Sequence, residues 1–196
     1  MNRLARPAVG PLLVALLTTS GATTGQPLPE ADGVEEIHIL RSIREPATQE
    51  PEYCRPDRIG FAPFAADAER HFAFWSVQTD RTGKVIDARH ARVATLRGCF
   101  GATDTPARQN FHADIALGDL TMTGRGECQA LQLDVPEKGL FPVRCQLILS
   151  NLPVPYIGGL LTTNTITSAA AFGGQSDPPG YAQASIATIR LWKRRR

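Results

Sequence analysis

Along most of this 196-residue chain, apolar and polar positions alternate in short runs separated by Gly and Pro, and no segment of useful length carries a helical period. The runs predict eight strands: residues 37–44 (IHILRSIR), 70–79 (RHFAFWSVQT), 85–96, 111–123, 125–135, 142–150, 160–168 (LLTTNTITS) and 184–192 (ASIATIRLW). In the fourth, Phe111, Ala113, Ile115 and Leu117 share one face, and His112, Asp114, Ala116 and Gly118 share the other. The third alternates imperfectly, which predicts a bend or bulge, and residues 65–70 can form one short helical turn. The Thr-rich seventh suits a strand and disfavours a helix.

Regular short strands in one chain predict an all-β domain, and eight is the number at which a closed antiparallel barrel is filled by side chains or holds one small ligand. Residues 70–79 are apolar on both faces, with Phe72 and Phe74 on one and Ala73, Trp75 and Val77 on the other. A barrel wall of that kind needs cover on its outside, from loops or from a second subunit.

The first 22 residues read differently. Arg3 and Arg6 precede an apolar run from Val9 to Leu17, and Ser20-Gly21-Ala22 forms a small-x-small cleavage site. These are the three parts of a secretory signal peptide, and the run is about half the ~20 residues that span a bilayer. Residues 23–36 then form a flexible leader, 37–193 the barrel domain and 194–196 a basic tail. The expectation is a secreted or periplasmic protein with no stable membrane span after cleavage.

Export changes the meaning of the cysteines. Cys54, Cys99, Cys128 and Cys145 form no C-x-x-C pair and have no His at zinc spacing, so they read as two disulfides with three possible connectivities. A hairpin centred on Pro136 and Glu137 places Cys128 opposite Cys145, leaving Cys54 for Cys99, which staples an early loop to a strand end. Export also changes the charge. The full chain has 21 Lys+Arg and 19 Asp+Glu, a formal +2 that is too small for a nucleic-acid binder. Both surplus bases are Arg3 and Arg6. The remainder is an acidic body with five bases in its last seven residues, RLWKRRR.

Chemistry is sparsely marked. The strong hydrolase, metalloprotease, phosphate-loop and dinucleotide motifs are absent, the four His are dispersed, and neither metal nor cofactor is expected. Two residues apart on one strand face, His112 and Asp114 can converge so that the carboxylate orients the imidazole for acid–base work; an exposed polar face produces the same pair. NLPVPYIGG and GGQSDPPGY are long Pro/Gly loops, shaped rather than slack, that can bring Tyr156 and Tyr181 to a barrel mouth. Asn164, beside Thr162 on one face of the Thr-rich strand, can supply donors and acceptors. With Trp75, these make Trp75, His112, Asp114, Tyr156, Asn164 and Tyr181 the ligand-pocket candidates.

The segment VEEIHILRSIREP is similar to the first strand of plant allene oxide cyclases, and LTMTGRGECQALQL resembles the glycine-rich strand-and-turn pattern of the allene oxide cyclase and dirigent barrels. The resemblance implies an eight-stranded antiparallel barrel, often trimeric, around an apolar cavity that guides cyclisation or coupling of small molecules without a cofactor. It carries over the fold alone, because the family's first-strand glutamate and nearby asparagine align with Arg41 and Ile43. Three readings follow: an exported barrel whose cavity binds a small apolar molecule and can guide its isomerisation or cyclisation by shape; a structural or interaction barrel of the cell envelope that self-associates; and a hydrolase or lyase built on His112 and Asp114.

Overall fold

The computed structural model describes residues 33–46, 50, 52–64, 68–131, 140–168 and 184–194. Eight of its strands close into one antiparallel barrel. In chain order they are β1 (Gly33–Glu45), β2 (Glu69–Ser76), β5 (Arg92–Ala102), β6 (Arg108–Leu117), β7 (Leu120–Ala130), β8 (Leu140–Ser150), β9 (Tyr156–Ser168) and β10 (Ala184–Arg194). Around the wall the order is β1-β10-β9-β8-β7-β6-β5-β2, so the first and last strands pair and close the sheet. Among the described residues no helix is long and apolar enough to cross a membrane.

Three boundaries differ from the sequence reading, each for a local reason. Residues 111–123 are two strands: Gly118, at φ 56°, and Asp119 make a two-residue turn that pairs Leu117 with Leu120. Residues 85–96 divide into β4 (Val85–Asp87) and the start of β5. Among the described residues β4 pairs only with β3 (Gln78–Thr79), in a small separate hairpin. Its turn is pinned by Asp80, whose Oδ1 accepts from Thr82 N (2.8 Å), Thr82 Oγ1 (2.7 Å) and Lys84 N (3.0 Å). The closing seam also takes in both ends assigned to leader and tail, because β1 and β10 pair from Gly33↔Arg194 onward. Among the described residues the one helical turn is α1 (Pro56–Ile59), started by Pro56 and ended by Gly60 at φ 83°. It lies upstream of residues 65–70, of which 65–67 fall outside the described residues.

Alternation decides which side chains enter the lumen. Leu117, Met122, Leu147, Leu149, Leu161, Ile189 and Leu191 are all buried there in one cluster. On the outer face of β5 and β6 a flap, residues 52–64, supplies part of the cover that the two-sided apolar pattern requires. It is held by the Cys54–Cys99 disulfide and by a bridge between Pro63 and Gly101. Tyr53, Cys54, Ile59 and Cys99 bury one another beneath it. Gly101 is a close-approach glycine, since a Cβ there would collide with the carbonyl of Ala62 and the ring of Phe61. The second disulfide, Cys128–Cys145, joins directly opposed residues of β7 and β8, the predicted pairing.

Candidate functional site

Three neighbouring strands change character along their inward faces. On β1 the series runs Leu40, Ser42, Arg44; on β10, Ile189, Ala187, Ser185; on β9, Leu161, Thr163, Thr165, Thr167. Register aligns them, with Ser42 opposite Ser185 and Ser185 opposite Thr165, so all three turn polar toward the same barrel end. At that end the lumen holds a cavity of about 60 Å³. By the same measure one water needs roughly 10–15 Å³, so there is space for several waters or a small organic group.

The cavity has two unlike walls. Ser42, Thr163, Thr165, Thr167 and Ser185 form a hydroxyl wall on β1, β10 and β9. Phe64, Phe72, Phe74, Phe100 and Phe111 face it from the flap, β2, β5 and β6. Phe100 and Phe111 stack with centroids 4.1 Å apart and planes 10° from parallel. Gly98 makes room for them, because a Cβ there would strike the Phe111 ring. Arg44, Arg70 and Gln109 add polar groups, and the Cys128–Cys145 disulfide lines the wall between. Arg70 is buried and donates from Nη1 to the carbonyl of Glu69 (2.8 Å). Thr167 is also buried, and its Oγ1 has no hydrogen-bond partner among the described residues.

The residues singled out from the sequence lie elsewhere. Trp75 follows Phe74 on β2 and so faces outward, opposite Arg41. Asn164 is exposed on the outer face of β9, opposite Arg144; its inward neighbours Thr163 and Thr165 are the ones that line the cavity. Tyr156 sits at the far end of the barrel, at the start of β9. There it donates to Glu36 Oε2 (3.3 Å), with Lys193 Nζ 4.9 Å from its ring centre. Tyr181 lies outside the described residues. The sequence missed the whole polar set of the lumen, although the passage from apolar to polar along one strand face is its signal.

His112 and Asp114 do converge, on the outer wall: Nε2 stands 3.8 Å from Oδ1, too far for a hydrogen bond. His112 is buried by the flap, and neither ring nitrogen has a hydrogen-bond partner among the described residues. Burial lowers its pKa, Asp114 opposes this, and Arg125 and Arg58 reinforce it. Asp114 accepts from Arg58 Nη2 (2.8 Å). Tyr53 spans the two strands, donating to Arg97 O (2.6 Å) and accepting from Asp114 N (3.3 Å). Its ring is covered by the Arg97 and Arg58 guanidinium groups, 3.8 and 4.4 Å from its centre. Burial and then the Asp114 charge raise its pKa, so Tyr53 is a neutral donor.

A buried carboxylate anchors the same wall. Burial alone would raise the pKa of Glu69, but Arg97 Nε (2.6 Å), His71 Nε2 (2.6 Å) and the Glu50 amide (2.8 Å) together hold it below the usual value. A shallow cleft of about 330 Å³ opens beside Asp114, Arg97, Thr123 and Asn151. The outer cluster is therefore largely an internally matched clasp for the flap, whereas the lumen presents an enclosed space with two chemically distinct sides. Compared with protein-family models, with curated proteins and with solved structures, the chain finds no match.

Proposed function

We propose that this is an exported barrel protein that holds a small, mostly apolar molecule in its lumen. The observation that carries the reading is the cavity with its aromatic wall facing a hydroxyl wall, since small-molecule sites are mostly apolar enclosures with a few placed polar groups. Two disulfides suit an oxidising compartment, as does the signal-peptide pattern of residues 1–22. A molecule held between two such walls is fixed in one orientation, the condition under which shape alone guides an isomerisation or cyclisation. The test is NMR titration of the exported protein with benzamide, a neutral single-ring probe. Binding should shift the resonances of Phe74, Leu96 and Thr163 and be abolished in Thr163→Phe, which fills the lumen. Benzamide that moves no lumen resonance overturns the reading.

A second reading, association of two copies, rests on exposed isoleucines of the outer wall. Ile37 and Ile39 on β1, Ile186 on β10 and Ile166 on β9 are each about half exposed, and the register makes them a continuous diagonal stripe. Light scattering that finds only monomer at all concentrations removes it.

A further inference from the structure

We infer that the occupant of the lumen is a neutral aromatic carbonyl compound, of the aryl ketone class, with its ring on the phenylalanine wall and its oxygen on the Thr167 hydroxyl. This rests on the lumen-binding reading above and narrows it to one ligand chemistry. Three observations converge.

The first is an enclosed hydroxyl. Thr167 is 2% exposed and lines the cavity, and its Oγ1 has no hydrogen-bond partner among the described residues. Buried polar atoms are nearly always paired, and one left unpaired carries its full desolvation cost. A hydroxyl has one proton to give and lone pairs with which to accept. The proton is the more demanding half, because buried donors without an acceptor are the rarer omission in folded proteins. An acceptor oxygen on the ligand supplies what is missing. A carbonyl oxygen does so without bringing a donor of its own that would need a partner in turn.

The second is charge. Arg44 and Arg70 lie at the same end of the lumen, and both are engaged with other groups of the protein, Arg70 in part through Nη1 on the Glu69 carbonyl. Their charge is committed, and the wall opposite the phenylalanines consists of neutral hydroxyls such as Ser42, Thr163 and Ser185. An ionised ligand would give up its hydration there without a counter-charge, whereas a neutral one loses little.

The third is shape. The stacked Phe100 and Phe111 rings form a flat wall, and an aromatic ring in offset or edge-on contact with it gains more than an aliphatic group of equal area. Thr163 pairs with Cys145, Cys145 with Cys128 and Cys128 with Gln109, so β8 and β7 separate the hydroxyl wall from the strand that carries Phe111. A carbonyl conjugated to its ring keeps the oxygen in the ring plane, and such a molecule reaches from one wall to the other without a bend.

The experiment compares acetophenone with α-methylstyrene, in which a methylene replaces the carbonyl oxygen at nearly the same shape, by NMR titration of the whole exported protein. Thr167→Val, which removes the hydroxyl at nearly constant volume, should lower the ratio of acetophenone to α-methylstyrene affinity about tenfold or more. Thr167→Ser, which keeps the hydroxyl, should hold that ratio within about threefold of the unaltered protein. Thr167→Val should also melt no lower than the unaltered protein, since it removes an unpaired oxygen; a lower melting temperature would show the hydroxyl to be paired within the protein and would overturn the assignment. The alcohol corresponding to acetophenone should bind several-fold more weakly than the ketone, and equal or tighter binding overturns the carbonyl class. A ratio that does not move in Thr167→Val overturns the assignment while leaving lumen binding standing. If neither probe moves a lumen resonance, and benzamide moves none, lumen binding itself fails and the assignment falls with it.

Discussion

The two disulfides close loops of different length, and the difference makes a quantitative prediction. Cys54 and Cys99 are 45 residues apart, Cys128 and Cys145 only 17. The chain-entropy relation assigns about 4 kcal/mol to the first and about 3 kcal/mol to the second at 25 °C. All four cysteines are buried, so replacing either pair by Ala removes comparable packing and that loss cancels in the comparison. Cys54→Ala/Cys99→Ala should therefore cost about 1 kcal/mol more than Cys128→Ala/Cys145→Ala, read as the difference in unfolding free energy in urea. Either loss is large beside the total stability of a domain, roughly 5–15 kcal/mol. The first variant should also lose amide-exchange protection at Ile59 and Gly60, whose N–H groups donate to Arg55 and Pro56 within the flap. The hairpin variant should keep it. If the hairpin pair proves the costlier, or if flap protection survives without Cys54–Cys99, then the long loop is not what the outer disulfide restrains.

Three further outcomes test the packing. Tyr53→Phe leaves Arg97 O and Asp114 N without the hydroxyl that joins them and should lose about 2 kcal/mol in chemical denaturation. His112→Leu should be neutral at pH 7 or gain up to about 2 kcal/mol, because it removes two buried nitrogens that have no partner among the described residues. The same variant should flatten the pH dependence. The unfolded chain takes up this proton near pH 6.5, as an ordinary histidine does, and the folded one only at lower pH, so wild-type stability is full above about 6.5 and falls as the pH drops below it. An unchanged pH slope between wild type and His112→Leu would contradict the burial argument. Gly126→Ala drives a Cβ into the carbonyl of Gln146 on β8, and because that obstacle is backbone it should cost about 3 kcal/mol, seen as a lowered melting temperature.

The strand pattern was legible because half-buried strands write their two faces into alternate residues, as Phe111, Ala113, Ile115 and Leu117 do. The Cys128–Cys145 pairing was legible for a related reason: a hairpin's centre sets its register. The turn at Gly118-Asp119 was written in the chain as well, as a turn dipeptide between alternating runs, but alternation on both sides of it reads as one longer strand. The site was harder to see. Choosing Asn164 over Thr163 requires knowing which face of β9 is inside, and period two distinguishes the faces without saying which is which. Leu161 settles it only when its neighbours on β10 and β8, Ile189 and Leu147, are brought alongside. His112 and Asp114 stand two apart on one strand face and are legible as neighbours, whereas the flap over that face is not, since it is tied down by the disulfide from Cys54 to Cys99, 45 positions along the chain.

The pairing of β1 with β10 has a bearing on how the molecule comes to exist. The strand that begins the barrel waits for the strand that ends it, so closure is the most non-local step available to the chain. Until Ala184–Arg194 has been synthesised, β1 and β9 each present an unpaired edge, and the isoleucines at 37, 39 and 166 stand beside those edges. A partly made chain is therefore both open and sticky. Under the export proposed above, such a chain would cross the membrane unfolded and close afterwards, in the compartment where both disulfides can form at once.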